Sequence, residues 1–240
     1  MLRQFIEYLK NQLGCIYVWG AQGETSITEA WIRKRETSEN NAQRAIALWK
    51  KRVAEKRSYV AAFDCSGLIV HFLMNNGLLK SDASSRGLFE MCREIKSRAE
   101  LMPGDFVFRH NGVKIHHVGV YIGDGQVIEA KGRDYGVVQQ GIDQSGKGYW
   151  NRYGRFEPLS KDAEEQLKSE FPADYIYGGA TYANLRKTAD SKDDYNVIGK
   201  VGKGETVLVL KLENGWADAV KKTEKSYLRG FCYAAWLERK

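Results

Sequence analysis

The sequence of 240 residues predicts an α+β fold followed by a small all-β domain. Apolar residues recur at helical intervals within residues 68–74, which indicates a helix with one buried stripe. Residues 116–122 alternate in the manner of a β-strand, with valine and isoleucine on one face. Beyond about residue 175, short strand-like segments separated by turn residues recur at the regular spacing of a small barrel.

Cys65 stands at the start of the predicted helix. Leu68 and Ile69 follow three and four residues later, so Cys65 lies at the top of the buried stripe, and Asp64 is placed to cap the helix. A helix N-terminus and a nearby imidazolium both favour the thiolate over the thiol, which is what a nucleophilic cysteine requires. The alternative is a structural cysteine, because free cysteine is among the most buried residue types.

His117 is the predicted partner of this thiol. It shares one face of its strand with Gly119, which leaves room above the sheet, whereas Val118 and Val120 lie on the face that packs on the core. His116 lies on that second face and is interpreted as a packing histidine at the edge of the core. A catalytic role is therefore predicted for His117 and not for its neighbour.

Glu129 is the candidate third member, and the register of a hairpin decides its orientation. The chain turns within residues 123–125. A two-residue turn would pair Glu129 with Val120 and direct it away from His117. A three-residue loop would pair Glu129 with Gly119 and place it on the His117 face, where a carboxylate can hold the imidazole in one tautomer. The alternative is an ordinary strand glutamate that faces solvent.

Residues from about 10 to 157 resemble an NlpC/P60 cysteine peptidase domain, a papain-like α+β fold that acts on bacterial cell-wall peptides. Five motifs carry the resemblance, and they follow one another in the order that is typical of the family. They are Tyr17-Val-Trp-Gly20, Asp64-Cys-Ser-Gly-Leu68, Pro103-Gly-Asp-Phe-Val-Phe108, His117-Val-Gly-Val-Tyr-Ile-Gly123 and Val127-Ile-Glu-Ala130.

The resemblance implies roles for particular residues. Cys65 would be the nucleophile and His117 the general base. The third catalytic position, which is usually histidine in this family, falls on Glu129, and this departure makes its role a separate question. The family is also expected to hold the substrate peptide through three further residues, with no metal or cofactor. These substrate-binding residues are Tyr17, Asp64 and Ser66.

The predicted organisation has two domains. Residues 1–160 form the peptidase-like domain, residues 161–174 a linker and residues 175–240 a small all-β domain. Within the first, residues 24–58 are predicted to insert one or two amphipathic helices, either as a scaffold or to place Trp31 or Trp49 at the substrate cleft.

The C-terminal part resembles a bacterial SH3 domain. Such modules usually bind cell-wall peptide or glycan; the alternative is a module that packs on the catalytic domain or gates its substrate. The phrases that carry this second resemblance are Asn184-Leu-Arg186, Val197-Ile-Gly199, Lys203-Gly-Glu205, Glu213-Asn-Gly-Trp216 and Gly230-Phe-Cys-Tyr233.

Composition narrows the choice of partners. The formal charge is +7, yet no basic helix or phosphate-binding glycine loop indicates nucleic acid, and an anionic bacterial envelope fits as well.

Four scattered cysteines predict neither a disulfide framework nor a zinc site. No apolar run is long enough to span a membrane. The N-terminus lacks a signal-peptide pattern, so we expect a cytoplasmic product that is released to the wall, as phage endolysins are.

Together these features predict a peptidoglycan hydrolase, most specifically an endopeptidase that cleaves between a D-γ-glutamyl residue and the diamino acid of the stem peptide. Three alternatives stay open at this stage. An N-acetylmuramoyl-L-alanine amidase would use the same residues on a neighbouring bond, and an acyltransferase would pass the acyl group to an amine. A non-catalytic wall-binding protein would have an unreactive Cys65.

Overall fold

The computed structural model describes residues 1–55, 57, 59–159, 172–192, 194–224 and 226–240. Helices belong mainly to the first hundred residues, and the strands of two larger sheets follow. The α-helices are α1 (Leu2–Asn11), α2 (Glu29–Arg35), α3 (Glu39–Ala54), α4 (Gly67–Asn75) and α5 (Ser85–Glu90), and short 3-10 helices lie at Arg98–Glu100 and Ala234–Trp236.

The strands of the first part form a small three-stranded sheet and a central six-stranded sheet among the described residues. The small sheet has the order β1-β3-β2, and the central sheet has the order β4-β9-β5-β6-β7-β8. These strands are β1 (Ile16–Tyr17), β2 (Gln22–Glu24), β3 (Ala62–Phe63), β4 (Arg93–Ile95), β5 (Phe106–His110), β6 (Ile115–Gly123), β7 (Gln126–Gly132), β8 (Gly136–Gly141) and β9 (Arg152–Arg155).

The main core lies between the central sheet and helices α1 and α4. Helix α1 is amphipathic, as the sequence indicates, and buries Phe5, whose ring lies 5.0 Å from that of Phe72 on α4. Val118 and Val120 of β6 face this same core, so the predicted apolar face of the strand is confirmed. This packing fixes α4, and with it the turn that precedes it, against the strand that carries His117.

The insertion contains two helices, α2 and α3, which agrees with the amphipathic pattern of residues 24–58. Thr28 and Ser38 cap these helices by accepting hydrogen bonds from backbone amides in their first turns. α2 packs on α3, and α3 packs on β1, around a small apolar core of their own. Trp31 and Trp49 are half-buried against that core, which favours the scaffold interpretation for both tryptophans.

The C-terminal part is a single antiparallel sheet among the described residues, with the order β12-β11-β15-β14-β13-β10-β16. Of the predicted linker, residues 161–171 lie outside the described residues, and residues 173–174 belong to the first strand of this sheet, which the sequence analysis missed. The strands are β10 (Ala173–Tyr177), β11 (Tyr182–Arg186), β12 (Val197–Gly202), β13 (Thr206–Glu213), β14 (Trp216–Lys222), β15 (Tyr227–Tyr233) and β16 (Leu237–Arg239).

The C-terminal sheet shares its apolar core with the first part of the chain. The buried Tyr233 hydroxyl donates to the carbonyl oxygen of Leu101 at 3.3 Å and lies 3.5 Å from the hydroxyl of Tyr121. The Lys10 ammonium lies 4.4 Å from the centre of the Trp236 ring. Removing the C-terminal sheet would expose these buried groups to water. Across the described residues, no helix is both long and apolar enough to cross a bilayer.

Candidate active site

The turn that carries Cys65 is held by a close backbone approach. β3 ends at Phe63 and α4 begins at Gly67, so the half-exposed Cys65 lies just ahead of a helix N-terminus. The Asp64 amide donates to the Ala21 carbonyl at 2.8 Å, and a Cβ at Gly67 would lie only 2.1 Å from that same oxygen. The glycine therefore lets the chain pass close to Ala21.

Asp64 joins this turn to the motif at residues 17–20. Its Oδ1 accepts hydrogen bonds from the Gly67 amide at 2.6 Å and the Ser66 hydroxyl at 3.1 Å, and its Oδ2 accepts one from the Gly20 amide at 3.0 Å. Burial raises the pKa of this carboxyl, although the three hydrogen bonds oppose the rise. In this structure Asp64 acts as the expected helix cap, and the substrate roles of Asp64 and Ser66 stay predictions.

His117 lies close enough to Cys65 for the thiol to raise the pKa of the imidazole. Its ring is buried, and burial alone would lower the pKa of the imidazole. Hydrogen bonds and charge interactions with Cys65 and Glu129 outweigh burial and raise the pKa of His117 to about 9. At neutral pH the ring is therefore an imidazolium, the form that stabilises an adjacent thiolate and can later donate a proton.

A two-residue turn and a bulge together set the register of the hairpin that carries Glu129. Asp124 and Gly125 form a two-residue turn with φ of 49° and 69°, as in a type I′ turn. A bulge between Tyr121 and Gly123 then shifts the pairing by one residue. The strands beyond it adopt the register that was predicted for a three-residue loop, so a bulge, rather than the loop length, turns Glu129 towards His117.

The Glu129 carboxylate is fully buried and contacts His117 directly. Its Oε2 lies 2.6 Å from the His117 Nε2, which leaves Nδ1 of the ring for the Cys65 thiol. The solvent-facing alternative for Glu129 is thus wrong. A buried carboxylate therefore orients an imidazolium that lies near a half-exposed thiol.

Trp150 covers the histidine and was not foreseen from the sequence. Its indole stacks on the His117 ring with centroids 5.5 Å apart and an angle of 13° between the planes. The space above Gly119 is filled by this side chain, because a Cβ there would lie 3.0 Å from the indole. The space that was expected to be open is therefore occupied by Trp150, which excludes water from the contact between His117 and Glu129.

His116 differs from its predicted role. Its side chain is exposed at the start of β6, and so it is not a packing residue. Burial and the nearby Arg109 guanidinium lower the pKa of His116, in contrast to the raised value of its neighbour. The pairing of β5 with β6 shifts by one residue here, so His116 lies at a bulge and Ile115 is buried in the main core instead.

Tyr17 forms another wall of the candidate site. Its ring is buried, and burial, followed by the proximity of Cys65, raises the pKa of the phenol. The Arg133 guanidinium lies 5.1 Å from the centre of the Tyr17 ring. Glu36 holds this guanidinium through bonds of 2.7 and 2.9 Å and accepts the Trp19 amide at 3.1 Å. The insertion thus reaches the site through Glu36.

The predicted site residues therefore lie close together: the imidazole and the carboxylate are in contact, the thiol is near the imidazole, and Tyr17, Asp64 and Ser66 are near the thiol. The described residues contain no group of three or more His, Cys, Asp or Glu side chains with the geometry of a metal site. The arrangement can support nucleophilic attack by a thiolate on a carbonyl group.

Residues 14–155 match the NlpC/P60 family, and the chain belongs to this family of cysteine peptidases. Its curated relatives include the "Probable endopeptidase p60" of Listeria welshimeri, 37% identical over 91 residues, which cover 38% of this chain and 16% of the relative. The protein of the same name from Listeria grayi is 38% identical over 93 residues, 39% of this chain and 17% of the relative. The matches thus span less than a fifth of these relatives.

Solved structures of the same family are similar at lower identity. The peptidoglycan hydrolase RipB of Mycobacterium tuberculosis is 23% identical with a TM-score of 0.41, covering 65% of this chain and 66% of that chain. RipD of the same organism, described as a non-catalytic NlpC/p60 domain protein, is 20% identical with a TM-score of 0.41, covering 65% and 97%.

Proposed function

We propose that this chain is a peptidoglycan hydrolase that cleaves an amide bond of the stem peptide with Cys65 as nucleophile. The placement of a half-exposed thiol near His117, which itself contacts the buried Glu129, carries this proposal. A cysteine that served only for packing would need neither an imidazolium nor a buried carboxylate behind it. The same arrangement argues against the non-catalytic alternative.

The proposed reaction has two stages. The Cys65 thiolate attacks the carbonyl carbon, and the Cys65 amide, just ahead of α4, is the proposed donor to the oxyanion. The imidazolium of His117 then gives its proton to the leaving amine as the C–N bond breaks, which leaves a thioester on Cys65. In the second stage His117 takes a proton from water, which attacks the thioester, and the thiol is restored.

The bond that we propose is the one between the D-γ-glutamyl residue and the diamino acid. The curated relatives are named as probable endopeptidases, which favours a bond within the peptide over the amide that joins the peptide to the sugar. Because the matched segment is a small part of those proteins, the assignment to this chain needs its own test.

Mass spectrometry of muropeptides after digestion of purified sacculi tests this assignment. We expect new amino termini on the diamino acid and new carboxyl termini on the D-γ-glutamyl residue. Intact stem peptides freed from the glycan would indicate an amidase instead. An added amine that appears in the product would indicate acyl transfer, and no release by a folded protein would contradict hydrolysis altogether. The Cys65→Ala protein, purified identically, is the control.

Glu129→Gln should reduce turnover by roughly ten- to a thousandfold, because an orienting carboxylate contributes less than the bond-making groups. The charge that helps to hold the His117 pKa near 9 is lost, so His117 should lose its proton at lower pH than in the wild type. The alkaline limb of the kcat/KM profile should therefore move down from about pH 9.

The raised pKa of His117 also predicts that the stability of the fold depends on pH. A histidine whose pKa rises from 6.5 to about 9 on folding stabilises the fold fully below about pH 6.5, and this contribution is lost as pH rises through 9. Glu129→Gln should weaken that pH dependence in denaturant unfolding. The exposed Glu90→Gln variant is a matched control. An unchanged pH–rate profile in Glu129→Gln would mean that Glu129 does not support the imidazolium.

We further propose that residues 175–240 form an SH3-like module that binds the wall. The exposed Tyr182 ring, with the Lys200 ammonium 3.8 Å from its centre, offers stacking and charge to a glycan or an anionic peptide. Because the C-terminal sheet shares the core of the first part, truncation is a poor test. Tyr182→Ser/Lys200→Ser should weaken sedimentation of the Cys65→Ala protein with sacculi by about tenfold.

The exposed Tyr59→Ser variant, in the first part of the chain, is the control for this binding experiment. Hydrolysis of a soluble stem peptide should be the same in the double variant as in the wild type, because both substitutions lie outside the candidate active site. Equal sedimentation of the double variant and the control would contradict wall binding through this surface.

A further inference from the structure

We propose that Gln140, held by Lys131 and Ser145, is a positioning residue that fixes the carboxylate of Glu129 for His117. The inference rests on the proposed function, because it concerns the same site. It adds a fourth residue to Cys65, His117 and Glu129, from a part of β8 that carries no recognisable motif.

The strand pairing places Gln140 beside the carboxylate. β7 and β8 are antiparallel, with Glu129 opposite Val138 and Val127 opposite Gln140. Residues two apart on a strand share a face, so Gln140 projects on the same side as Glu129. Its side chain is 6% exposed, and the Glu129 carboxylate is 0% exposed. Both polar groups are therefore enclosed by protein and depend on each other for hydrogen bonds.

The hydrogen bonds give Gln140 one orientation. Its Nε2 donates to the Glu129 Oε1 at 2.8 Å and to the Ser145 hydroxyl oxygen at 2.8 Å, and its Oε1 accepts from the Lys131 ammonium at 2.8 Å. An ammonium group can only donate, so the amide oxygen must face Lys131 and the amide nitrogen must face Glu129. Lys131 thereby sets which end of the amide meets the carboxylate.

This orientation also fixes the direction of the Glu129 side chain. The Gln140 donor at Oε1 and the His117 ring at Oε2 engage both oxygens of the carboxylate. A buried carboxylate that lost the Gln140 bond would have an unsatisfied oxygen and freedom to rotate away from the ring. Gln140 therefore holds the direction of Glu129.

The position explains how this chain accommodates a buried carboxylate next to His117. A carboxylate at 0% exposure needs a hydrogen bond at each oxygen, and His117 supplies only one. Gln140 supplies the other, and its own oxygen is satisfied by Lys131.

Gln140→Met tests the proposal, because methionine keeps the length of the side chain but cannot donate. We expect kcat on a soluble stem peptide to fall about tenfold with KM unchanged, since Gln140 is buried behind Glu129 and away from the thiol. The pKa of His117, followed by NMR of the imidazole in the substrate-free protein, should decrease. Gln139→Met, an exposed neighbour on the opposite face of β8, should change neither.

A second variant covers the case in which Gln140→Met folds poorly. Lys131→Met alters a partly exposed side chain and removes only the group that orients the amide, so we expect a smaller fall in kcat, about threefold, and rescue by Lys131→Arg. If the His117 pKa and kcat are unchanged in both Gln140→Met and Lys131→Met, the positioning role is overturned. A lower melting temperature with an unchanged His117 pKa would indicate a purely structural role and would also overturn it.

These measurements separate the inference from the proposed function. The NMR titration of His117 and the rate of Cys65 alkylation by iodoacetamide need no substrate. If the wild type fails to hydrolyse sacculi, the proposed function fails, yet a lower His117 pKa in Gln140→Met would still support the positioning role. If the wild type hydrolyses sacculi and Gln140→Met leaves the His117 pKa and the alkylation rate of Cys65 unchanged, only the inference fails.

Discussion

Cys65→Ala is expected to abolish hydrolysis of the stem peptide while the fold is retained. The thiol is half-exposed at a helix start, so its loss leaves no large cavity in the core. Of the other cysteines, Cys92 is half-buried, and burial and the nearby Asp105 raise the pKa of its thiol to about 12. The measurement is release of soluble muropeptides at matched concentrations of folded protein.

Cys92→Ala is the control for this experiment, because it removes a thiol of similar exposure without a partner base. It should keep wild-type activity. Iodoacetamide at neutral pH should modify Cys65 in the wild type and should leave Cys92 largely unmodified. A folded Cys65→Ala protein that retained more than about a hundredth of the wild-type rate would contradict the thiol mechanism.

The sequence was sufficient to predict that Cys65 and His117 lie near each other, because local patterns position both residues. A helix that starts after residues 64–66 and a strand with alternating faces determine where Cys65 and His117 point, whatever the rest of the fold does. The direction of Glu129 could not be predicted from local patterns alone, because it depends on one bulge in β6. Turn residues indicate a hairpin but do not show whether a bulge follows the turn.

Other parts of the site were beyond sequence reasoning, because they depend on contacts between distant segments. Trp150 lies in an irregular loop, and only the folded chain brings its indole onto His117. Glu36 lies between two insertion helices and meets Arg133 across 97 residues of sequence. Neither loop has a periodic pattern, and a buried ion pair gives no signal in either of its two segments alone.

The C-terminal part was predicted as strands, and its packing on the first part of the chain was one of two alternatives. Its alternating segments indicate which residues are buried, yet they do not say against what. The residues around Tyr233 predict that it belongs to the barrel, whereas its hydroxyl donates a hydrogen bond to the Leu101 carbonyl oxygen in the first part of the chain. The shared core changes the design of experiments, since substitutions on the surface of the full chain replace truncation.

His117→Ala is expected to lower turnover by at least about a thousandfold, because it removes both the proton donor and the group that stabilises the thiolate. The substitution also leaves the Glu129 carboxylate buried without its cationic partner, which costs roughly 1–3 kcal/mol or more of folding free energy. His117→Gln keeps much of the volume and can donate to Glu129, so it should fold better and be almost as inactive.

His116→Ala is the matched control, because it alters the adjacent histidine, which is exposed. We expect nearly wild-type turnover and stability from it. The three variants should be compared at equal folded concentration, with far-ultraviolet ellipticity and thermal unfolding measured beside muropeptide release. An inactive His116→Ala together with an active His117→Gln would contradict the assignment of the strand faces. The buried contact between His117 and Glu129, at 2.6 Å, is the reason to expect the reverse.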